Sequence, residues 1–334
     1  MRNNNILVLF IVLTFLFFLS YGAYNMLKPV KVSYRLFEIK QGDTAEDIAE
    51  HLYNNALINS VQAFRFIVKF TGKDKNLGAG IYLFEGKYTV WDIIDKFAEC
   101  KVKLEKVTVP EGLTLKKTAK ILAKNNFADY DTLLALANDS VFASKITGFK
   151  VKSLEGFLYP ETYMLPLGVN EEYILKHLVK SFFAQTAILE FDEFTELSVY
   201  EILILASIVE RETYRQSEKP TIASVYLNRL EIGMRLQADP TVAYALEEIG
   251  KKRRKIYLKD LRIKSPYNTY RNKGLPPTPI CSPSVSAIEA VLHPEDTDYL
   301  FFCANGRGSH LFTSNYREHL KVLHKLRNKK IRRK

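Results

Sequence analysis

Tyr200-Glu201-Ile202-Leu203-Ile204-Leu205-Ala206-Ser207-Ile208-Val209-Glu210-Arg211-Glu212-Thr213 is the stretch whose reading decides the fold. Through its middle it has no polar face, so the pattern predicts a helix over Val199–Glu212 that is buried nearly all round. Charge arrives only at the end. Glu212 lies one turn beyond Ile208 and Val209 and two beyond Leu205, and so continues the apolar stripe. A carboxyl there loses hydration, and the negative end of the helix dipole opposes its ionisation. Both effects raise its pKa, which a general acid near neutral pH requires. Glu210, two residues back, projects roughly 200° away. The two carboxylates therefore form no side-by-side dyad, and an arginine is the expected partner of Glu210. Periodicity alone also fits a solvent-exposed Glu212 paired with Arg215 at i+3.

Around this helix, residues 103–326 read as a mixed α+β domain. Leu115–Lys124, Glu171–Gln185 and Lys219–Ile232 have helical spacing. Tyr299–Cys303 and Leu311–Thr313 flank Gly306-Arg307-Gly308 as a hairpin. Gly274-Leu275-Pro276-Pro277-Thr278-Pro279 excludes regular structure and predicts an ordered loop. The last stretch starts as a helix at Tyr316, with Leu320, Leu323 and Leu326 on one face, and gives way to a basic tail over 327–334.

Upstream, residues 32–102 form a smaller domain built on a recurring pattern. Gly42-Asp43-Thr44 precedes Ala45, Ile48, Ala49 and Leu52, which share one helical face. Gly86 and Thr89 precede Val90, Ile93, Ile94 and Phe97 in the same way. Thr44/Asp47 and Thr89/Asp92 have the spacing of capping boxes. Tyr34–Ile39, Ile81–Phe84 and Glu105–Pro110 read as strands. A looser third copy, Gly112, Thr114, Leu115, Ala119 and Leu122, marks the entry to the larger domain. Gly42–Leu52 resembles a LysM module, a small βααβ fold that binds glycans containing N-acetylglucosamine; a packing domain without sugar contact fits the same residues.

Between Arg2 and Lys28 the chain carries no charge, and residues 6–26 are long enough for a transmembrane helix. A signal peptide cleaved near Ser20 and Gly22 is the competing reading. Lys28, Lys31 and Arg35 balance Arg2 and the amino terminus, so counting charges does not orient the span. The net charge of +11 owes much to Lys251–Lys255 and Arg327–Lys334. It suits an anionic membrane surface, an anionic polymer or nucleic acid, but the runs lack the interleaved aromatics of a strand-binding surface, so nucleic acid is not expected. The three cysteines and six histidines have no metal-ligand spacing, so no metal is expected. Cys281 and Cys303 could pair in an oxidising compartment.

Four segments in order carry a family resemblance: Leu154–Thr162 (LEGFLYPET), Ala206–Thr213 (ASIVERET), Ala223–Thr241 (ASVYLNRLEIGMRLQADPT) and Tyr267–Pro277 (YNTYRNKGLPP). Together they resemble the endolytic murein transglycosylase family (MltG or YceG-like). The resemblance covers nearly the whole chain. It implies a short cytoplasmic amino terminus (1–5), a single inner-membrane helix (6–26), a LysM-like domain (32–102) and an extracytoplasmic catalytic domain (103–326). In the family motif E-(K/R)-E-T the catalytic glutamate precedes the threonine, which here is Glu212. The implied reaction cleaves the β-1,4 bond between N-acetylmuramic acid and N-acetylglucosamine, leaves 1,6-anhydro ends and needs no cofactor. Peptidoglycan glycan strands are the implied substrate, nearby cell-wall synthases the implied partners, and ending glycan elongation the implied task. Candidate substrate-binding residues are Gln237, Asp239, Asn268, Tyr270, Glu155 and Glu161. Asp239 also suits an N-cap of a helix starting near Pro240. Tyr159, Tyr163 and Tyr267 are possible sugar platforms or core. A muramidase-type hydrolase and a non-catalytic wall-binding scaffold are the competing functions.

Overall fold

A computed structural model describes residues 13–14, 16–17, 20–189, 197–251 and 255–331. The chain divides into two compact units. The first holds the described residues up to Lys106 and draws in 126–128 and 164–170; the second holds the rest.

In the first unit β1 (Val30–Ile39) is followed by α1 (Ala45–Asn54), α2 (Val61–Phe70), β2 (Gly80–Tyr88) and α3 (Val90–Ala98). The two strands pair antiparallel, Val30 opposite Tyr88 and Ile39 opposite Gly80, with an irregularity between Val32 and Arg35. Both expected capping boxes form. Thr44 and Asp47 close one around the first turn of α1, and Thr89 and Asp92 close the other on α3. Each box satisfies within the chain amides that the helix itself leaves without a partner. Phe97 from α3 is the hub of the core, 4.7 Å from the ring of Tyr82 and 5.8 Å from that of Phe37. Burying rings of this size contributes about 1.5–3 kcal/mol each. Residues 164–170 join this unit through main-chain bonds, Ile81 N–H to Leu167 O at 2.9 Å and Leu167 N–H to Lys103 O at 3.2 Å. Nothing in the local pattern marks that return.

The second unit is organised around α8 (Val199–Glu212). The helices before it are α4 (Leu115–Lys124), α5 (Tyr130–Ala137), α6 (Ser140–Thr147) and α7 (Glu171–Thr186). After it come α9 (Lys219–Glu231), α10 (Asp239–Glu248), α11 (Val285–Leu292) and α12 (Tyr316–Ile331). In this unit β5 (Phe301–Ala304) pairs with β6 (His310–Thr313) as the expected hairpin; β3 (Leu104–Thr108) and β4 (Thr162–Pro166), which pair with each other, have most of their residues in the first unit. From Ile202 to Glu210 every residue of α8 is buried, because α9 and α11 pack against it. The class is mixed α+β, with two-stranded sheets only among the described residues.

The proline-rich loop is ordered against Gly156. That residue has φ +92°, and a Cβ on it would come within 2.6 Å of the Pro279 ring. Only glycine fits there. The cysteines are free, and Cys281 is buried. The membrane helix expected over 6–26 lies partly outside the described residues, and among those described no helix is long and apolar enough to cross a membrane. The basic run Lys251–Lys255 also falls partly outside them. At the carboxyl end the helix continues to Ile331, past the start of the expected tail at 327.

Candidate active site

The end of α8 is fixed from both sides. A capping box of Ser198 and Glu201 sets its start. The small residue Ser207 lets the main chain approach closely, and its Oγ accepts from Ile280 N–H at 2.9 Å while its carbonyl accepts from Cys281 Sγ at 3.2 Å. One turn on, Glu210 is 5% exposed and accepts from Lys219 Nζ at 3.0 Å and from Ser284 N–H at 3.0 Å. Lys219 also donates to Ser284 Oγ at 2.9 Å and Ser286 Oγ at 3.0 Å. The expected arginine partner of Glu210 is thus a lysine, supplied by the first residue of α9. Arg211 is used elsewhere, donating through Nη1 to Gly112 O at 3.2 Å.

Glu212 closes the helix, and Thr213 beyond it turns to extended backbone. The Glu212 carboxyl accepts at Oε1 from the Tyr226 hydroxyl at 2.6 Å. Tyr226 is among the largest fully buried side chains, and its ring meets Phe302 edge-on at 5.8 Å. Burial pushes the Glu212 pKa up to about 7. The Tyr226 bond works against that rise, the Asp239 charge adds to it, and the Arg229 and Arg211 charges oppose it. Arg229 lies one turn after Tyr226 on α9. It is held by Leu300 O at 2.7 Å and by Leu236 O, with its guanidinium 5.5 Å from the centre of the Phe301 ring. Although surrounded closely enough to be desolvated, Glu212 keeps part of its surface open to solvent. The expected alternative, a bond to Arg215, does not form; the Arg215 guanidinium instead donates to Arg307 O at 3.4 Å.

The other candidates separate into two groups. Gln237 and Asp239 are exposed, on a segment clipped to the Asn268–Tyr270 turn. Gln237 N–H donates to Thr269 O at 3.2 Å, and Ala238 N–H donates to Thr269 Oγ1 at 3.0 Å. Gln237 adopts φ 52°, a left-handed conformation unusual for a side-chain-bearing residue. Asp239 is not the N-cap of α10. That position is Ala238, without a side-chain cap, and the Asp239 carboxylate instead accepts from the Tyr270 hydroxyl at 2.7 Å. Asp239 also acts on Glu212 through its charge, so Glu212, Asp239, Tyr270, Tyr226 and Arg229 form one electrostatic cluster.

Asn268 and Glu155 belong to the frame. Fully buried, Asn268 donates to Leu261 O at 2.9 Å and to Ile263 O at 2.8 Å, and accepts from Tyr270 N–H at 3.0 Å. Glu155 is 4% exposed, and both its oxygens are occupied, by Leu115 N–H at 2.9 Å and the Tyr244 hydroxyl at 3.1 Å. Glu161 is exposed, and its carbonyl accepts from Val109 N–H at 2.9 Å. Among the tyrosines, Tyr163 is buried and donates to Tyr159 O at 2.6 Å, while the Tyr267 hydroxyl meets Thr278 Oγ1 at 2.9 Å. Their polar ends are spent inside the protein. No group of three or more His, Cys, Asp or Glu among the described residues is placed to hold a metal ion.

Sequence reasoning missed Tyr226, Arg229 and Lys219. All three lie on α9, Lys219 and Tyr226 seven residues apart and therefore on one face. That spacing is the signal that could have found them.

A model of the YceG-like family matches residues 37–325. Over 325 residues the chain is 33% identical to a Bacillus subtilis (strain 168) protein named endolytic murein transglycosylase, covering 91% of this chain and 89% of that protein. A like-named protein of Streptococcus pneumoniae (strain ATCC BAA-255 / R6) is 27% identical over 347 residues, covering 92% of this chain and 62% of its own length. The crystal structure of a YceG-like protein from Listeria monocytogenes matches with a TM-score of 0.59 at 36% identity, covering 86% of this chain and 98% of that one. With the match spanning most of the chain and both ends of α8 inside it, this chain belongs to the YceG-like family.

Proposed function

We propose that the chain is an endolytic murein transglycosylase with Glu212 as its acid and base. One observation carries this reading: Glu212 is a partly accessible carboxyl raised to about 7, with one oxygen held by Tyr226. Half the molecules then carry the proton near neutrality, and the second oxygen is left to deliver it. The names of the relatives in B. subtilis and S. pneumoniae support the substrate class.

Cleavage of the bond between N-acetylmuramic acid and N-acetylglucosamine passes through an oxocarbenium-like state. Protonated Glu212 gives its proton to the leaving oxygen. As the carboxylate appears, the Tyr226 hydroxyl and the Arg229 and Arg211 charges stabilise it. The 6-hydroxyl of the same muramoyl sugar attacks C1, and Glu212 takes the hydroxyl proton. The product is a 1,6-anhydro end; no water is consumed, and Glu212 returns to its starting state. Asp239, exposed in the same cluster, and Gln237, exposed two residues before it, serve to orient the sugar, and the Asp239 charge favours a cationic ring.

The reading extends to the envelope. The uncharged run over 6–26 serves as a single inner-membrane anchor with its amino terminus inside, and the catalytic unit works outside beside the synthases, ending the growth of nascent strands. The strand–helix–helix–strand order of residues 30–88, followed by the extra helix α3, supports a LysM-like module that holds the glycan there.

The test is Glu212→Gln, which keeps the shape and removes the transferable proton. Mass spectrometry of uncrosslinked glycan treated with each protein should find anhydro-muropeptides from wild type and a 10²–10⁴-fold loss in the variant. Near-wild-type release from the variant ends the proposal. Reducing ends, heavier by one water, would mark a hydrolase, and sacculus binding without turnover would mark a scaffold.

A further inference from the structure

Bordering the Glu212 cluster, the fold gathers three exposed cations, Arg235, Arg271 and Lys273, from two segments that lie 36 positions apart. The segments exchange side chains. Arg235 donates through Nε to Arg271 O at 3.2 Å, and the Lys273 ammonium lies 4.0 Å from the point that a Cβ on Gly233 would occupy. Arg271 in turn donates through Nη1 to Arg262 O at 3.4 Å. Among the described residues no carboxylate forms an ion pair with any of the three. Like charges gathered this closely repel one another, so the arrangement gains from an anion.

The guanidiniums are only partly used. Each has five N–H donors, of which Arg235 spends Nε and Arg271 spends Nη1. Arg271 therefore keeps its Nε–Nη2 edge, a fork that matches the two oxygens of a carboxylate. The ground beneath is rigid. Asn272 donates through Nδ2 to Ser265 O at 2.8 Å and to Asn268 O at 3.1 Å, and Met234 N–H donates to Arg229 O at 2.8 Å just before Arg235. The patch also adjoins the site. Arg271 follows Tyr270, whose hydroxyl is bonded to Asp239, and four residues of chain carry Arg235 to Asp239, a span of at most about 14 Å.

The sugars of a murein strand are uncharged in the intact polymer. Its acid groups lie in the peptide stems, each hung from a muramoyl sugar, the kind whose C1 reacts. We infer that Arg235, Arg271 and Lys273 form a seat for the carboxylates of the peptide stem on the sugar being cut. This inference rests on the transglycosylase reading and names the part of the substrate that a basic patch recognises.

Full-length protein in detergent, carrying Glu212→Gln so that nothing is cleaved, is titrated with two forms of uncrosslinked glycan. One has its stem carboxylates free, and the other has them capped as amides. The parent should bind the free form about 10-fold more tightly. Adding Arg235→Gln, Arg271→Gln and Lys273→Gln together should erase most of that preference and flatten its salt dependence. Arg235→Lys with Arg271→Lys should keep the salt dependence and give up part of the preference, because lysine has no fork. With Glu212 intact, the ratio of kcat/KM for free over capped strands should fall toward one in the triple variant; a general loss of fold would lower both values and leave the ratio alone. Equal affinity of the parent for the two forms overturns the seat, as does a triple variant that keeps the full preference. A triple variant that loses binding to phosphatidylglycerol vesicles instead of stem preference assigns the patch to lipid and overturns the seat as well. The two proposals fail separately: a wild type that prefers free stems but yields no anhydro ends sinks the transglycosylase reading alone, whereas one that cuts free and capped strands alike sinks only the seat.

Discussion

Two buried carboxyls, in the region under the start of α4 and at the end of α8, share one perturbation and differ in everything that follows from it. Glu155 is pushed up to about 8 and Glu212 to about 7, burial being the main cause in both. Around Glu155 the protein supplies a donor to each oxygen, Leu115 N–H and the Tyr244 hydroxyl, and the group is 4% exposed. Around Glu212 it supplies one donor, Tyr226, and leaves part of the residue open. Desolvation therefore makes a proton available near neutrality, but only an unoccupied, reachable oxygen can hand it on. Glu155 is tied to the first turn of α4; Glu212 is the group that acts in the proposed reaction.

The comparison breaks first on turnover. Glu212→Gln should cost 10²–10⁴ in anhydro-product formation, whereas Glu155→Gln should keep the reaction running, since its partners are all structural. Loss of both activities alike, at unchanged melting temperature, would erase the distinction. The next effect is on folding. Lys219→Met strands the Glu210 carboxylate in the interior and should lower stability by about 3–5 kcal/mol, read from denaturant titration. Lys219→Met with Glu210→Gln should recover part of that loss, because the uncompensated charge is gone. A cost confined to a few tenths would mean that the buried pair does not anchor the end of α8.

The third effect is a slope. Glu155 holds its proton in the folded state up to about pH 8, while the unfolded carboxyl releases it near 4.5. The folded state therefore binds more protons across that window, and stability falls as pH rises from about 4.5 to about 8. Glu155→Gln should flatten this part of the profile in urea titrations run at several pH values. An identical slope in both proteins would show that Glu155 is not the group responsible.

Legibility in the sequence followed the range of the interaction. The apolar run of α8 and the placement of Glu212 on its stripe come from periodicity within one helix, and the capping boxes at Thr44 and Thr89 close over three residues. Such features are local. Helix α11, Val285–Leu292, is not marked in the sequence, because eight residues make barely two turns and Ser286 and Glu289 are its only polar positions, too few to establish a period. The partners were least legible. Tyr226 meets Glu212 across 14 positions, Lys219 meets Ser284 across 65, and Tyr270 meets Asp239 across 31. That last contact explains why Asp239 was misread as a cap: its neighbour Pro240 suits a helix start, but the carboxylate is drawn to a hydroxyl that the fold brings from elsewhere. Asn268 and Glu155 were nominated as binding residues because they fall in motifs, and the fold uses both to hold those motifs in shape.

The central claim is that Glu212 keeps its proton to near neutrality while open to a ligand. Carbon-detected NMR of glutamate-labelled protein, with the resonance assigned by its absence in Glu212→Gln, reports that titration directly. The account predicts a midpoint at about 7, moving higher in Tyr226→Phe because the hydroxyl that favours the carboxylate is gone. A midpoint near 4.5, unmoved by Tyr226→Phe, would contradict it.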